Sequence, residues 1–177
     1  MKILIIFGLL LGSCKKSYNG MILNEPMEIN QDFYLVDKEN NLVNLKSVLK
    51  DYNLIYFGYT KCPDVCYIAL KDISEALKYT KKPVNVIFIT VDLKRDNPQV
   101  IKKYLNQFNE SFLGFIPKDE NELYKISKFF SVAYEQDTLT GYIGHSSFII
   151  FVKNNKIVEY FPLGIKPKDI ADDINKF

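Results

Sequence analysis

Two cysteines four residues apart and a single histidine carry the strongest chemistry in this chain. Cys62 and Cys66 lie in the run Phe57-Gly58-Tyr59-Thr60-Lys61-Cys62-Pro63-Asp64-Val65-Cys66, and His145 lies in Gly141-Tyr142-Ile143-Gly144-His145-Ser146-Ser147. Pro63 suits the first turn of a helix, where its missing N–H leaves no bond unmade. That places Cys62 at or beside the helix N-cap and Cys66 one turn later. Residues four apart share a helix face, so both sulfurs can point at one external spot. The positive end of the helix favours thiolate and should lower the thiol pKa below the free value of about 8.5. Thiolate is the form that binds metals and attacks disulfides.

The donor inventory narrows the metal. A closed zinc site wants four protein ligands, and the fourth would have to be a carboxylate. A blue-copper centre needs two His and one Cys, but the chain has one His. Two thiolates and one imidazole suit copper, as Cu(I) first and Cu(II) second; Met21 and Met27 are weaker donors. The glycines flanking His145 let its loop approach closely, and in a thioredoxin-like sheet such a loop reaches the start of the cysteine-bearing helix. The same sulfurs also support a second reading without metal. In a thiol–disulfide reductase Cys62 attacks, Cys66 resolves, and His145 is incidental or tunes the thiols. A purely structural disulfide closing so short a loop would constrain the unfolded chain little.

The elements that must position these residues follow from the pattern around them. Leu54 to Tyr59 and Val84 to Val91 read as buried strands. Val65, Ile68, Ala69, Ile73, Ala76 and Leu77 fall at helical spacing after Asp64. Pro98 opens a second helix and Glu120 to Phe130 forms a third. Ser147 to Val152 and Ile157 to Phe161 make a hairpin turning at Asn154-Asn155, and Pro167 to Phe177 is a terminal helix. Asp32 to Val36 and Leu42 to Leu45 form an N-terminal β-hairpin. Strands alternating with helices predict an α/β fold with a central mixed sheet flanked by helices. A buried strand running into a Cys-containing helix start is the thioredoxin arrangement.

The first residues read as an address. A short positive start is followed by the apolar run Ile3 to Leu11, then Leu11-Gly12-Ser13-Cys14 and Lys15-Lys16. The run is too short for a bilayer, which needs about 20 apolar residues, and has the anatomy of a signal-peptide core. Leucine, two small residues and Cys resemble the bacterial lipobox, in which the Cys is lipidated. Residues 1–13 are thus expected to be a lipoprotein signal peptide, 14–26 a lipidated tether and 27–177 one domain. That domain would sit outside the cytoplasm, held at a membrane through Cys14. A net charge of +2 over 177 residues leaves no basic footprint for nucleic acid.

Three blocks resemble the SCO/SenC family in the family's order. They are Phe57 to Cys66, then Thr90-Val91-Asp92 with Arg95-Asp96-Asn97-Pro98, and Gly144-His145-Ser146 before a hydrophobic strand. The similarity spans roughly residues 28–177, and the CxxxC spacing separates it from the CxxC of thioredoxin-type oxidoreductases. The resemblance implies a thioredoxin-like fold and copper held by Cys62, Cys66 and His145. It also implies a metallochaperone that assists assembly of the binuclear copper site of cytochrome c oxidase subunit II, by delivering copper or reducing that site's cysteines. Its other partners would be an extracytoplasmic copper donor and a thiol reductant. Asp92 matches an acidic position near the family's metal site; a strand-end carboxylate capping the next loop is the alternative. Arg95 is expected to anchor that loop by pairing with Asp96 or Asp92. The chain departs from the family in having Tyr67 after the second Cys and Leu93-Lys94 before Arg95.

Overall fold

The computed structural model describes residues 17–137 and 139–177. The expected leader and Cys14 lie outside the described residues. In chain order the elements are β1 (Met21–Glu28), β2 (Tyr34–Val36), β3 (Leu42–Asn44), α1 (Leu45–Val48), β4 (Tyr52–Gly58), α2 (Val65–Ala76) and β5 (Asn85–Thr90). There follow α3 (Pro98–Leu105), β6 (Leu113–Pro117), α4 (Glu120–Phe129), β7 (Tyr134–Gln136), β8 (Ile143–His145), β9 (Phe148–Lys153), β10 (Lys156–Pro162) and α5 (Pro167–Lys176).

Strands β4 and β5 form the centre because every side chain from Leu54 to Phe57 and from Val86 to Ile89 is buried. Such unbroken apolar runs suit a sheet covered on both faces. The two pair in parallel, with Gly58 opposite Thr90 at their carboxyl ends. Parallel neighbours need a crossover, and α2 and α3 supply those from β4 to β5 and from β5 to β6. Both crossovers advance the same way across the sheet, so right-handedness puts both helices on one face. Tyr104 of α3 meets Phe88 of β5 there, and α5 packs beside α2. The other face belongs to α4, whose C-cap Phe130 touches Phe57 and Phe33. The chain then returns to β9, antiparallel to β4.

The completed sheet has eight strands in the order β1-β10-β9-β4-β5-β6-β2-β3, and β7 and β8 form a separate two-stranded ribbon. This is the expected α/β architecture with a central mixed sheet and the expected hairpin, which becomes β2 and β3 at one edge. The turn between β9 and β10 has positive φ at both Asn154 and Asn155, 48° and 63°, as a two-residue hairpin turn requires. The tether is corrected in part. Residues 21–26 do not hang free but form most of β1, paired with β10 from Met21↔Tyr160 to Glu28↔Lys156. Their side chains are largely exposed, so no alternation marks the strand; the unpaired edge of β10 recruits it through backbone bonds. Strand β6 was also hidden, being five residues long with Gly114 inside it. A Cβ on Gly114 would lie 2.2 Å from Ile101 Cγ2, so only glycine lets α3 pack this closely.

Candidate metal centre

The site lies beyond the carboxyl ends of β4 and β5, where the chain's path across the sheet reverses and open α/β sheets place their ligands. Cys62 sits in the turn after β4, closed by Cys62 N–H donating to the Tyr59 carbonyl at 3.2 Å. Asp64, not Cys62, is the N-cap of α2, and its carboxylate accepts from Val65 N–H. Pro63 therefore precedes the helix rather than opening its first turn. Cys66 is the second helical residue, and the N–H groups at the helix start favour the charged form of the Cys62 sulfur beside them. Cys62 thus belongs to the turn before the helix and Cys66 to the helix itself, with the two sulfurs in one cluster.

His145 ends β8 instead of lying in a loop. The β7–β8 ribbon carries it in, with Tyr134 opposite His145, and the Tyr59 hydroxyl accepts from Ile143 N–H at 3.2 Å to pin the ribbon to the end of β4. The imidazole stands edge-on between two tyrosine rings, 6.2 Å from Tyr56 and 5.9 Å from Tyr59 between centroids. Its Nδ1 lies 3.0 Å from the Ser146 carbonyl oxygen, which can only accept, so Nδ1 carries the proton. In the neutral ring Nε2 keeps its lone pair, and it lies 3.3 Å from Cys66 Sγ. The ligand atoms of Cys62, Cys66 and His145 all lie within 4.8 Å of one another.

Both cysteines are free thiols. Cys66 is wholly buried and Cys62 is 9% exposed, so the site opens to solvent at Cys62. The two thiols are driven apart in acidity. Cys62 is held down to about 4, first by the hydrogen bond it accepts from Cys66 and, against burial, by the helix-start N–H groups. Cys66 is pushed up, because its proton serves Cys62 and because it is buried. The helix start thus favours thiolate at Cys62, as its position predicts. A cluster of two sulfurs and one imidazole nitrogen is a soft donor set of the kind copper accepts.

Asp92 and its neighbours brace this centre without joining the three-ligand cluster. Its buried carboxylate pairs with Arg95 Nε and accepts from Arg95 N–H at 3.2 Å. The Arg95 guanidinium then lies 5.5 Å over the Tyr59 ring. Of the two readings of Asp92, the capping carboxylate is the contact observed. Asp96 does more than the sequence suggested. It accepts from Thr60 N–H, Thr60 Oγ1 and Thr90 Oγ1, tying the β4 and β5 ends together just before Cys62. Burial raises its pKa, and the three donors oppose that rise. Tyr56, Tyr59, Thr60 and Thr90 escaped sequence reasoning because tyrosine and threonine are ordinary strand residues. The one available signal was a threonine just past one buried strand and another at the end of its neighbour.

A sequence model of the SCO1/SenC family matches residues 23–177. The chain is 32% identical to an SCO2-like protein of Rickettsia prowazekii, over 97% of this chain and 94% of that relative. Its fold matches the copper-bound structure of Bradyrhizobium japonicum ScoI with a TM-score of 0.73 and 33% identity, over 85% of this chain and 99% of that one. Yeast Sco1 with copper bound matches with a TM-score of 0.75 and 26% identity, over 86% and 88%. With the thioredoxin-like architecture, the CxxxC turn and the incoming histidine all in place, the chain belongs to the SCO1/SenC family.

Proposed function

We propose that this protein binds one copper ion through Cys62, Cys66 and His145 and serves as a copper chaperone in cytochrome c oxidase assembly. The observation that carries the reading is the convergence of two sulfurs and the imidazole nitrogen within 4.8 Å. The copper-bound relatives support it. Two thiolates and a neutral imidazole give Cu(I) a low-coordinate soft site, and bound copper brings the affinity for thiolates that makes transfer between cysteine sites feasible. The protein's own part is to hold the donors. The helix start fixes Cys62, the Ser146 carbonyl fixes the His145 tautomer, and the tyrosine walls restrict solvent to the Cys62 side. Anaerobic loading with Cu(I), followed by metal analysis and X-ray absorption, should show about one copper per chain with sulfur ligation. Unchanged binding in the Cys62→Ser/Cys66→Ser double variant would refute it.

One observation favours a second reading. A Cys62 sulfur on the solvent side beside a wholly buried Cys66 is the arrangement of an attacking and a resolving thiol. Cys62 would attack a partner disulfide, and Cys66, losing its proton, would displace the partner's second sulfur as two electrons pass to the partner. The binuclear copper site of subunit II is the target we assign under either reading, because its cysteines must be reduced before copper enters. His145→Ala separates the two, since it removes a ligand but leaves the dithiol.

We further place the chain on the extracytoplasmic side, lipidated at Cys14. Leu11-Gly12-Ser13-Cys14 after a short apolar run supports this. Cys14→Ala should accumulate as an unprocessed precursor lacking label from radioactive palmitate, and a normally processed soluble product would contradict it.

A further inference from the structure

A buried hydroxyl stands behind the sulfur pair with no well-formed hydrogen bond among the described residues, only a loose contact with the Cys66 sulfur. It belongs to Tyr56, wholly buried in β4 two residues before Gly58. Buried tyrosine hydroxyls are almost always bonded, so an orphan needs a reason. The space around Gly58 shows what the ring faces. A Cβ built there would lie 2.9 Å from Cys66 Sγ and 3.0 Å from Tyr56 Cε1, so ring and sulfur converge on that glycine. The polar group acting most strongly on the hydroxyl is the Cys66 sulfur, with Cys62 behind it. The same ring stands edge-on to His145.

In the metal-free protein the hydroxyl gains little from this neighbour, because a thiol sulfur is a weak acceptor. Copper changes the acceptor. Metal binding requires the ligand in its thiolate form, and thiolate sulfur accepts strongly. We propose that Tyr56 is a positioning residue of the copper site, whose hydroxyl donates to Cys66 Sγ once copper has replaced the thiol proton. The inference rests on the copper reading above. It explains the poorly bonded donor: its neighbour becomes a strong acceptor only in the loaded state. An outer hydrogen bond of this kind orients the ligand, draws electron density from the sulfur and so tunes the metal.

Tyr56→Phe deletes the hydroxyl alone. A second orphan hydroxyl, that of Tyr104, provides the control, because it faces the same sulfurs at longer range from α3. In the full chain, copper-free Tyr56→Phe should unfold at about the wild-type temperature or higher, since it loses only a weak contact with a thiol sulfur. Its retention of Cu(I) against a competing chelator should fall about 10-fold. After oxidation its sulfur-to-Cu(II) charge-transfer band should move to lower energy. Tyr104→Phe should leave retention and band in place. Wild-type retention and band in Tyr56→Phe, beside a wild type that binds copper normally, would overturn the inference and leave the copper reading standing. So would a retention loss that tracks a lowered unfolding temperature with the band unmoved. A wild type that binds no copper through sulfur would remove both.

Discussion

His145 reaches the thiols through one atom, and its removal should be felt unequally. Losing the imidazole leaves two thiolates, which still suit Cu(I), whereas Cu(II) depends more on nitrogen ligands. His145→Ala should therefore weaken retention of both states, about 10-fold or more for Cu(II) and less for Cu(I), in chelator competition. Disulfide exchange by Cys62 and Cys66 on a small disulfide substrate should persist in the same variant. Unaltered affinity in both states would favour the reductase reading. Gly58 is the other decisive residue here. Its missing Cβ is what lets Cys66 Sγ, Tyr56 and Phe88 approach, with contacts of 2.9, 3.0 and 3.1 Å awaiting any added carbon. Gly58→Ala should destabilise the fold by about 1–3 kcal/mol through overpacking, measured by urea denaturation. Cysteines and histidine were legible from type and spacing alone. The glycine was not, because its role is set by atoms from α2 and β5 that share no local pattern with it.

Two elements hold the donors, and each is braced by a single polar side chain. The β4–α2 turn hangs on Asp96, which gathers three donors from Thr60 and Thr90. Asp96→Ala leaves those donors buried and unpaired, so a loss of about 3 kcal/mol is expected by chemical denaturation. The variant should also expose Cys62, read as faster alkylation at neutral pH. The β7–β8 ribbon hangs on the Tyr59 hydroxyl, and the Arg95–Asp92 pair lies over the Tyr59 ring from the far side. Asp92 thus influences the centre through Arg95 and Tyr59 rather than by approaching the metal. Long apolar strands and periodic helices were legible at this level. The three-residue strands β7 and β8 were not, since their pairing is their only signature.

Across the molecule, the segment entering from the N-terminus is fastened to the far end of the fold by a buried carboxyl pair. Asn19 N–H, Asn19 Nδ2 and Gly20 N–H donate to Asp173, and Gly20 N–H also donates to Glu159. Burial first, and the hydrogen bond to Asp173 second, raise Glu159 to about 8. Burial works against the Asp173 carboxylate, but Lys176 and the Asn19 and Gly20 N–H groups hold it below its ordinary value. A carboxyl raised by folding contributes stability that is complete below its unfolded value of 4.5 and is lost as pH climbs through about 8. Asp173 acts oppositely, losing its contribution only in strong acid. Docking of β1 should therefore loosen in mildly alkaline solution. Glu159→Gln keeps an acceptor for Gly20 and a donor for Asp173 without a titrating proton. Its urea midpoint should change less than the wild-type midpoint between about pH 5 and about pH 9. Equal slopes would show that the pair does not govern the pH dependence.

The chain's residues alone were enough to specify two thiols and an imidazole as the reactive set and an α/β order of elements. Those properties are local: side-chain chemistry, apolar periodicity and turn residues act over a few positions. The coupled acidity of the thiols, the poorly bonded Tyr56 hydroxyl and the capture of β1 by β10 arose only when distant segments met. Each depends on burial or on a partner roughly a strand or more away in sequence, and water is excluded from such pairs only by the completed packing. Cys66 illustrates the division. Its position four residues after Cys62 announces a metal-binding or redox pair, yet its retention of the proton follows from being wholly buried beneath β4 with Cys62 as acceptor.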